Sequence, residues 1–439
     1  MNNSESELQA KIRQQFDGLP YPKIPVEKSP KDDYELLFLH NFITPYYLRN
    51  QKVIETKGKM ILDAACGSGY KSLVLAEANP GAKIVGIDIS EKSVELARQR
   101  LQYHGFDNAE FHVLSIEELP SLSLKFDYIN NDEALYLLPD IVVGLKAMKA
   151  VLKPDGIIRT NLHSSLQRHY YFRLQETLQT MGLMNENPGE MEMEAARKTM
   201  NALKDSITVK RQAWNPEMAK DAQWLLSNYL LLGDKGYTIP EVFAALKSAN
   251  LEFISMLKWR QWEVLDLFEN EDDLPVFLAV GLSEISLEER LHLFELLQSM
   301  HRLLDFWCGH PQQALPFLPV VEWTDSDWER ARVQLHPQLR NSQAKEDLIN
   351  CINNHRPFEI SHYVKSPTLS PISVDSSIAP CLLPLWDGVC NVQSLVDRLF
   401  KTRPLDPITL EPIDEESAWE DVTELLDTLS PFLYVLLEL

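Results

Sequence analysis

The strongest constraint on the fold is a glycine turn flanked by two apolar strand patterns. The sequence reads Ile-Leu-Asp-Ala-Ala-Cys-Gly-Ser-Gly over 61–69 and Lys-Ile-Val-Gly-Ile-Asp over 83–88. Small residues let the backbone of such a turn approach a ligand, and the helix that follows presents free N–H groups. In a doubly wound sheet the acid that ends the second strand, Asp88, faces the same crevice and can accept hydrogen bonds from ribose hydroxyls. The pattern therefore predicts a βαβ unit that binds a nucleoside.

Two phosphate-binding fingerprints do not fit this turn. The dinucleotide-binding motif requires a third glycine three residues after the second, where this chain has Ser72. The P-loop motif requires a contiguous Gly-Lys-Ser/Thr, and here Tyr70 separates Gly69 from Lys71. Both phosphate-binding interpretations are therefore weakened.

The turn and the second strand resemble the first two motifs of class I S-adenosylmethionine (SAM)-dependent methyltransferases. Asp63, Gly67 and Gly69 match the acid and the alternating glycines of the first motif, and Asp88 matches the ribose-binding acid of the second. Ala65 departs from the pattern where the first glycine is usual. The resemblance implies SAM as the cofactor and an α/β fold, a Rossmann-like class I sheet with helices on both faces.

Later segments of the sequence occur in the same order as the strands of class I methyltransferases. After a third strand, 109–114, the family usually has an aspartate that binds the adenine amino group, and this chain has Ser115. The segments 125–133 and 151–158 resemble the fourth strand with its functional end and the turn into the fifth strand. The cofactor-binding residues that the resemblance implies are Asp63, Ala65, Cys66, Gly67, Gly69, Asp88, Ile89, Ser115, Ile116 and Asn131.

Candidate catalytic residues lie where the fourth and fifth strands end. Methyl transfer from a sulfonium is an in-line displacement, so the protein mainly has to hold the acceptor lone pair about 3 to 3.5 Å from the methyl carbon and exclude water. Asp132 and Glu133 are candidates to accept a proton from an acceptor nitrogen or to orient it, with helix capping as the alternative. His163 is a candidate general base, with a structural role as the alternative. Arg168 and its aromatic neighbours predict a positively charged helix at the pocket rim, with a solvated helix face as the alternative.

Composition and pattern divide the chain into four parts. Prolines over 16–25 oppose helix and favour an extended, ordered segment. The resemblance implies that this segment covers the cofactor and that Tyr21 lines the active site, the alternative being that Tyr21 only fastens the segment to the sheet. The predicted parts are an N-terminal extension (1–55), a SAM-dependent methyltransferase domain (56–311) with a helical insertion (about 165–232), a linker (312–334) and a C-terminal domain (335–439).

The C-terminal domain is predicted to be small and mostly helical. Helical patterns cover 344–353, 376–386, 392–400 and 415–429, and an apolar strand pattern closes the chain over 432–437. It resembles the winged-helix-like modules that several bacterial methyltransferases carry, bacterial protein-lysine methyltransferases among them. We expect an interaction or regulatory role, with an inert packing appendage as the alternative.

Charge and composition limit the partners. The formal charge is −22, from 42 basic and 64 acidic residues, whereas a nucleic-acid-binding protein neutralises phosphates with a dense basic surface. Nucleic acid is therefore an unfavoured acceptor. No apolar run reaches the ~18 residues of a membrane span, and the N-terminus lacks a signal-peptide pattern. Five cysteines without a paired C-x-x-C motif predict neither a disulfide framework nor a metal site. These features predict a cytoplasmic protein.

Three functional hypotheses remain open on the sequence. The first is an enzyme that methylates a protein side-chain nitrogen, of lysine or asparagine, which the separate C-terminal domain favours. The second is a small-molecule O- or N-methyltransferase. The third is a non-catalytic SAM-binding scaffold or regulator, suggested by the departures at Ala65 and Ser115. The sequence does not define the acceptor atom, the base or the oligomeric state.

Overall fold

The computed structural model describes residues 10–15, 17, 21–270, 274–365, 370–405 and 411–439. An eight-stranded sheet organises its first part, with the strand order β3-β2-β1-β4-β5-β8-β7 and with β6 paired to β5. The strands are β1 (Met60–Ala64), β2 (Lys83–Asp88), β3 (Glu110–Val113), β4 (Phe126–Asn131), β5 (Leu152–Ser164), β6 (Gly236–Tyr237), β7 (Glu252–Met256) and β8 (Leu303–Gly309).

The pairing directions confirm the predicted Rossmann-like α/β fold. Strand β1 runs parallel to both β2 and β4, and β4 runs parallel to β5. Strand β8 is inserted between β5 and β7 and is antiparallel to both. The helices of the cofactor-binding half are α1 (Tyr34–His40), α2 (Ile43–Asn50), α3 (Tyr70–Ala78), α4 (Glu91–Tyr103) and α5 (Ile141–Val151). Within the described ranges, no helix combines the length and the apolar composition needed to cross a bilayer.

The central strands are buried on both faces because helices cover both sides of the sheet. Every residue of β4 is buried, and in β1 only Met60 retains partial exposure. Strands enclosed in this way need near-continuous apolar runs rather than alternation. The polar residues Asp63, Asn130 and Asn131 at the carboxyl ends of these strands are therefore exceptions that mark the site.

A helical region follows β5 and has a core of its own. Its buried residues include Leu174, Met200 and Tyr229, and the Trp214 ring stacks on Tyr229 with 5.0 Å between the centroids. Ile12, from the helical stretch 10–15, packs into the same core. The helices are α6 (His169–Thr180), α7 (Glu190–Ala202), α8 (Thr208–Ala213) and α9 (Ala222–Tyr229), followed by α10 (Ile239–Ala249), α11 (Val276–Glu284) and α12 (Leu287–Leu297).

The C-terminal part contains a three-stranded antiparallel sheet besides its helices. Strand β9 (Arg332–Leu335) is the middle strand, between β12 (Cys390–Asn391) and β13 (Val435–Glu438). The sequence analysis places 332–334 in a linker, because four residues are too few to show strand alternation. The other elements are β10 (Phe358–Glu359), β11 (Ser373–Val374), α13 (Asp325–Arg330), α14 (Ser342–Asn353), α15 (Val392–Thr402) and α16 (Glu415–Leu429).

Helices α1 and α2 fasten the C-terminal part to the sheet domain. The Tyr47 hydroxyl donates to the Leu437 carbonyl at 2.7 Å and accepts from the Leu437 N–H at 2.8 Å. The Phe38 ring lies 4.2 Å from the His336 ring. One hydrophobic cluster runs from Phe42 through Trp307 to Leu436 without a break. The C-terminal part therefore shares its core with the rest of the chain.

We predict that His336 makes the protein less stable in acid. Its Nε2 bonds to Thr44 Oγ1 at 3.0 Å, and its Nδ1 accepts from the Gln338 N–H at 3.3 Å. A proton added to Nδ1 would break the hydrogen bond from Gln338. Burial lowers the pKa of His336 to about 3. Between an unfolded-state pKa of about 6.5 and 3 the unfolded chain binds the extra proton, so stability falls as the pH falls through this window, by about 2 kcal/mol at pH 5.

Urea unfolding at pH 7 and pH 5 tests this prediction in the intact chain and in His336→Gln. Between pH 7 and pH 5 the free energy of unfolding should fall by about 2 kcal/mol less in His336→Gln than in the intact chain. His112→Gln, at an exposed position of β3, is the matched control and should retain the full loss. Equal acid sensitivity in His336→Gln and the intact chain would contradict the assignment.

Candidate active site

The turn between β1 and α3 is held in a left-handed backbone conformation. Ala65, Gly67 and Gly69 have φ angles of +66°, +51° and +80°. A β-carbon at Gly67 would collide with the carbonyl of Tyr21, and one at Gly69 would collide with Ala97. The position of Ala65 also favours glycine, and L-residues in this region are disfavoured by roughly 1 to 2 kcal/mol. The departure at Ala65 is therefore tolerated with some backbone strain.

The N–H groups of this turn are already occupied. Each donates within the chain: Gly67 to Asp88 Oδ2 at 2.9 Å, Ser68 to the Tyr21 carbonyl at 2.9 Å, and Gly69 to the Cys66 carbonyl at 2.9 Å. A phosphate site at a helix N-terminus needs such groups to be free. The turn therefore suits a nucleoside that carries no phosphate, which is the case for SAM.

The two predicted acids Asp63 and Asp88 have different surroundings. Asp63 is buried and accepts from Ser72 Oγ at 2.6 Å and Asn130 Nδ2 at 2.8 Å. Burial raises the pKa of Asp63 to about 6. Asp88 is partly exposed, and beyond Gly67 its Oδ1 accepts from the Ser90 N–H at 2.9 Å. Asp63 thus links the end of β1 to the end of β4. The Asp88 carboxylate keeps lone pairs that can accept hydrogen bonds from a ribose.

The predicted adenine side is formed by the end of β3 and a short 3₁₀ helix, Ile116–Leu122. The hydroxyl and the N–H of Ser115 both bond to Glu118 Oε2, at 3.0 and 3.1 Å, and cap this helix. The Ser115 hydroxyl therefore uses its proton within the cap, and its oxygen lone pairs are what it could offer to an adenine amino group. Ile116 is buried, and Ile89 packs against the core of the helical insertion.

Asp132 is held in a buried network of charges at the end of β4. Its Oδ1 accepts from Asn161 Nδ2 at 2.6 Å and Arg159 Nη2 at 3.3 Å, and its Oδ2 lies 3.0 Å from Lys71 Nζ. Burial alone would raise the pKa of Asp132, but the nearby Lys71 and Arg159 charges hold it far below the ordinary value. Asp132 is thus a poor proton acceptor with both oxygens occupied.

Arg159 is the centre of this network, and the sequence analysis did not identify it. Its guanidinium binds both oxygens of Asp305 at 3.1 and 2.7 Å, and it donates to Asn130 Oδ1 at 2.8 Å. Its Nη1 also lies 2.8 Å from His40 Nε2. Asn131 joins the neighbouring strands separately, since its Nδ2 donates to the Ala64 carbonyl at 2.9 Å and its Oδ1 accepts from Thr160.

Glu133 directly follows Asp132 but faces a different environment. Its φ is +54°, and its N–H donates to Asn161 Oδ1 at 2.8 Å. Arg302 binds its carboxylate in a bidentate pair at 2.6 and 3.0 Å. The side chains of Glu133 and Arg302 are 25% and 41% exposed, whereas the side chain of Asp132 is 13% exposed. Backbone strain of this kind recurs at functional sites, and Glu133 is the carboxylate here that a ligand can reach.

Tyr21 lies over both the glycine turn and this ion pair. The Tyr21 carbonyl accepts from the Ser68 N–H, and the adjacent Pro22 carbonyl accepts from Ser68 Oγ at 2.7 Å. Burial, followed by the charge of Glu133, raises the pKa of the Tyr21 phenol to about 12. The phenol therefore stays protonated at neutral pH and serves as a hydrogen-bond donor rather than as a base.

Both ring nitrogens of His163 are occupied. Its Nδ1 lies 2.6 Å from Asp234 Oδ1, and its Nε2 accepts from Arg302 Nη1 at 3.1 Å. Its ring stacks on Tyr136, with 3.9 Å between the centroids. Burial lowers the pKa of His163 despite the neighbouring Asp234. These contacts make His163 a positioning residue for Arg302 and leave it no free nitrogen for an acceptor.

Arg168 is not at a pocket rim as the sequence analysis predicts. Its side chain is 1% exposed, and its Nη2 lies 3.2 Å from Asp234 Oδ2. Its Nη1 also donates to Asn228 Oδ1 of α9 at 3.3 Å, so α9 and the segment after it cover the start of α6. The resulting chain of contacts runs from Arg168 through Asp234, His163 and Arg302 to Glu133.

Comparisons with known proteins agree with this geometry. Residues 55–238 match the sequence profile of a family described as a methyltransferase domain. The chain carries a SAM-dependent methyltransferase domain. A demethylmenaquinone methyltransferase of Geobacillus stearothermophilus is 35% identical over 102 residues, which are 23% of this chain and 44% of that enzyme. The match thus spans less than half of the relative's length.

Two further relatives extend beyond the methyltransferase domain. An uncharacterised protein of Synechococcus is 26% identical over 318 residues, 71% of this chain and 73% of the relative. The structure of PKMT2 from Rickettsia typhi in complex with AdoHcy covers 95% of this chain and 76% of its own, with a TM-score of 0.60 and 17% identity. At this identity the second similarity establishes the fold alone.

We predict that Asp88 contributes directly to SAM affinity. Replacing Asp88 by Asn removes the charge from the hydrogen bonds to the ribose and should weaken binding about tenfold to a hundredfold, roughly 1.5 to 3 kcal/mol. Calorimetric titration with S-adenosylhomocysteine measures the change. Asp107→Asn, at an exposed position outside the site, should bind as the intact chain does, and unchanged affinity in Asp88→Asn would refute the assigned site.

Asp132 and Glu133 should respond differently to neutralisation. Asp132→Asn breaks the ion pairs of Asp132 with Lys71 and Arg159. Because Arg159 keeps Asp305 and Lys71 is 30% exposed, the loss should lie near the lower end of the range for a buried pair, about 3 kcal/mol. Glu133→Gln breaks a more exposed pair, for which the loss should be about 1 kcal/mol or less. Urea unfolding of both variants measures the difference. Equal losses would show that Glu133 is as structural as Asp132.

Proposed function

We propose that this protein transfers the methyl group of SAM to a side-chain nitrogen of a protein, either lysine or asparagine. The observation that carries the proposal is the extent of the shared architecture. PKMT2, a protein methyltransferase, matches over 95% of the chain, which includes most of the helical insertion and of the C-terminal part. The demethylmenaquinone methyltransferase matches only 102 residues, 23% of the chain. We therefore assign acceptor selection to the parts of the chain that only the longer similarity covers.

The charge of the chain supports a cationic acceptor. A net charge of −22 attracts a lysine-rich polypeptide and repels acidic or phosphorylated ones. The effect is long-range and weakens with salt, so it favours encounter rather than chemistry. A small-molecule acceptor remains the second candidate, because the relative that matches over 102 residues is a demethylmenaquinone methyltransferase.

Glu133, Arg302 and Tyr21 are the residues that we assign to the acceptor nitrogen. SAM supplies a methyl group on a positively charged sulfur. The lone pair of the acceptor nitrogen forms the new C–N bond as the C–S bond breaks, the sulfur leaves as a neutral sulfide, and the proton that the nitrogen loses passes by way of the Glu133 carboxylate to solvent. Glu133 accepts a hydrogen bond from the acceptor N–H, and the bidentate Arg302 contact fixes the direction of that carboxylate. The protonated Tyr21 phenol, which is near enough to Glu133 and Arg302 to feel their charges, is available as a hydrogen-bond donor to the acceptor. Asp132 and His163 hold this arrangement in place through Asn161 and Arg302.

The C-terminal part is proposed to present or select the acceptor. The sequence alone suggests its removal as a test, but the structure argues against that experiment. A hydrophobic cluster shared with α1 and α2 would be exposed by truncation, and Tyr47 would lose both of its bonds to Leu437. Substitutions at its exposed positions are therefore the appropriate way to examine it.

Incubation of the purified chain with methyl-labelled SAM and cell extract tests the proposed function. We expect label in a protein fraction, recovered as methyl-lysine after acid hydrolysis or as a methylated asparagine in peptides. Glu133→Gln should lower incorporation at least tenfold with little change in cofactor affinity, because its carboxylate contacts the acceptor and not SAM.

The controls separate the two candidate acceptors. Asp107→Asn should incorporate label as the intact chain does. Label that enters only an organic-soluble fraction would favour the small-molecule acceptor. Absence of label from every fraction, with intact SAM binding, would favour a non-catalytic SAM-binding protein.

A further inference from the structure

A cavity of about 610 Å³ lies between the N-terminal segment and the C-terminal part. Three regions of the chain form its wall: the segment 28–35, Tyr70 at the start of α3, and residues of the C-terminal part that include Asp347 and Tyr363. None of these residues belongs to the site at the ends of β4 and β5. The volume is in the range of small-ligand pockets, about 300 to 1,000 Å³.

The enclosed part of the wall is made mainly of tyrosines and carboxylates. Tyr70 and Tyr363 are buried, and Tyr34, Glu35 and Asp347 are partly buried. The Tyr34 and Tyr363 rings lie 5.9 Å apart between centroids, tilted by 56°. The fully exposed wall residues are of mixed charge: Lys28, Asp32, Asp33, Gln343, His362 and Lys365. The inner surface is therefore both aromatic and acidic.

Asp347 carries a negative charge that points to a cation. Its Oδ2 accepts from Gln343 Nε2 at 3.0 Å and from the Tyr363 hydroxyl at 2.5 Å. These two hydrogen bonds lower its pKa, so it is ionised at neutral pH. Within the described part of the chain, no donor reaches its Oδ1. Faces of aromatic rings attract ammonium groups at distances within about 6 Å, and carboxylates reinforce the attraction.

We propose that this cavity binds an alkylammonium group, the side chain of a lysine or methylated lysine in a polypeptide. Tyr34 and Tyr363 contact the methylene and N-methyl groups, and Asp347 balances the charge. The proposal is independent of which acceptor the enzyme methylates, because it concerns a second site that makes no contact with the catalytic residues.

The position of the cavity connects it to the lid over the cofactor. The segment that supplies Asp32 and Tyr34 continues backwards to Tyr21 and Pro22, which bind the glycine turn through Ser68. Arg100 holds the middle of this segment through the carbonyls of Ile24 and Pro25, at 2.6 and 2.7 Å. An occupant of the cavity therefore joins the C-terminal part to the segment that covers the active site.

Calorimetric titration of the full chain, saturated with S-adenosylhomocysteine, tests the proposal. The probes are Nα-acetyl-lysine methylamide, its trimethylated form and the neutral norleucine analogue, with choline as a free ammonium compound. We expect saturable binding of both lysine probes, at least tenfold tighter than norleucine and tighter than choline. Asp347→Asn and Tyr34→Leu should each weaken the lysine probes at least tenfold.

The controls distinguish this cavity from the acceptor site. Asp107→Lys reverses an exposed charge elsewhere and should leave the affinities unchanged, whereas Glu133→Gln should not affect cavity binding. Thermal unfolding confirms that the variants are folded. Equal affinity for norleucine, unchanged affinity in both Asp347→Asn and Tyr34→Leu, or no saturable binding would overturn the proposal. Tighter binding of choline than of trimethyl-lysine would overturn its assignment to a polypeptide.

Discussion

The buried guanidinium of Arg159 is the interaction on which the geometry of the site depends. It joins side chains of three strands and one helix, since it bonds to Asn130 of β4, Asp305 of β8 and His40 of α1 from its own position on β5. A buried charge is stable only when its partners are complete. The ends of these strands therefore have one arrangement, and Asp132 completes it from the first position after β4.

This arrangement gives two adjacent carboxylates different roles. The Asp132 carboxylate points into the protein, where cationic and amide groups occupy both of its oxygens. Its negative charge therefore stabilises the structure. Glu133 turns outward on a left-handed backbone and meets Arg302 at the surface of the cleft. Sequence position alone does not distinguish them, because both follow the same apolar strand. The distinction arises from Lys71 and Arg159 on one side and Arg302 on the other.

The sequence predicts those features that local pattern encodes. Small residues around Gly67 and the acid after β2 identify the cofactor turn, and apolar runs identify β1, β2 and β4. Arg302 and Asp234 escape prediction because they lie 169 and 71 residues from Glu133 and His163. Only the return of β8 beside β5 brings Arg302 to the cleft. Strand β9 is not predicted for a different reason. A strand of four residues is too short to show an alternating apolar and polar pattern.

The contact between Tyr21 and the glycine turn also has a kinetic consequence. The carbonyls of Tyr21 and Pro22 accept from the backbone and the hydroxyl of Ser68, so the lid is bonded to the same loop that borders the cofactor. Opening of this edge requires both bonds to break and the segment to move away. A ligand that passes this edge of the cleft therefore does so only during such a local opening.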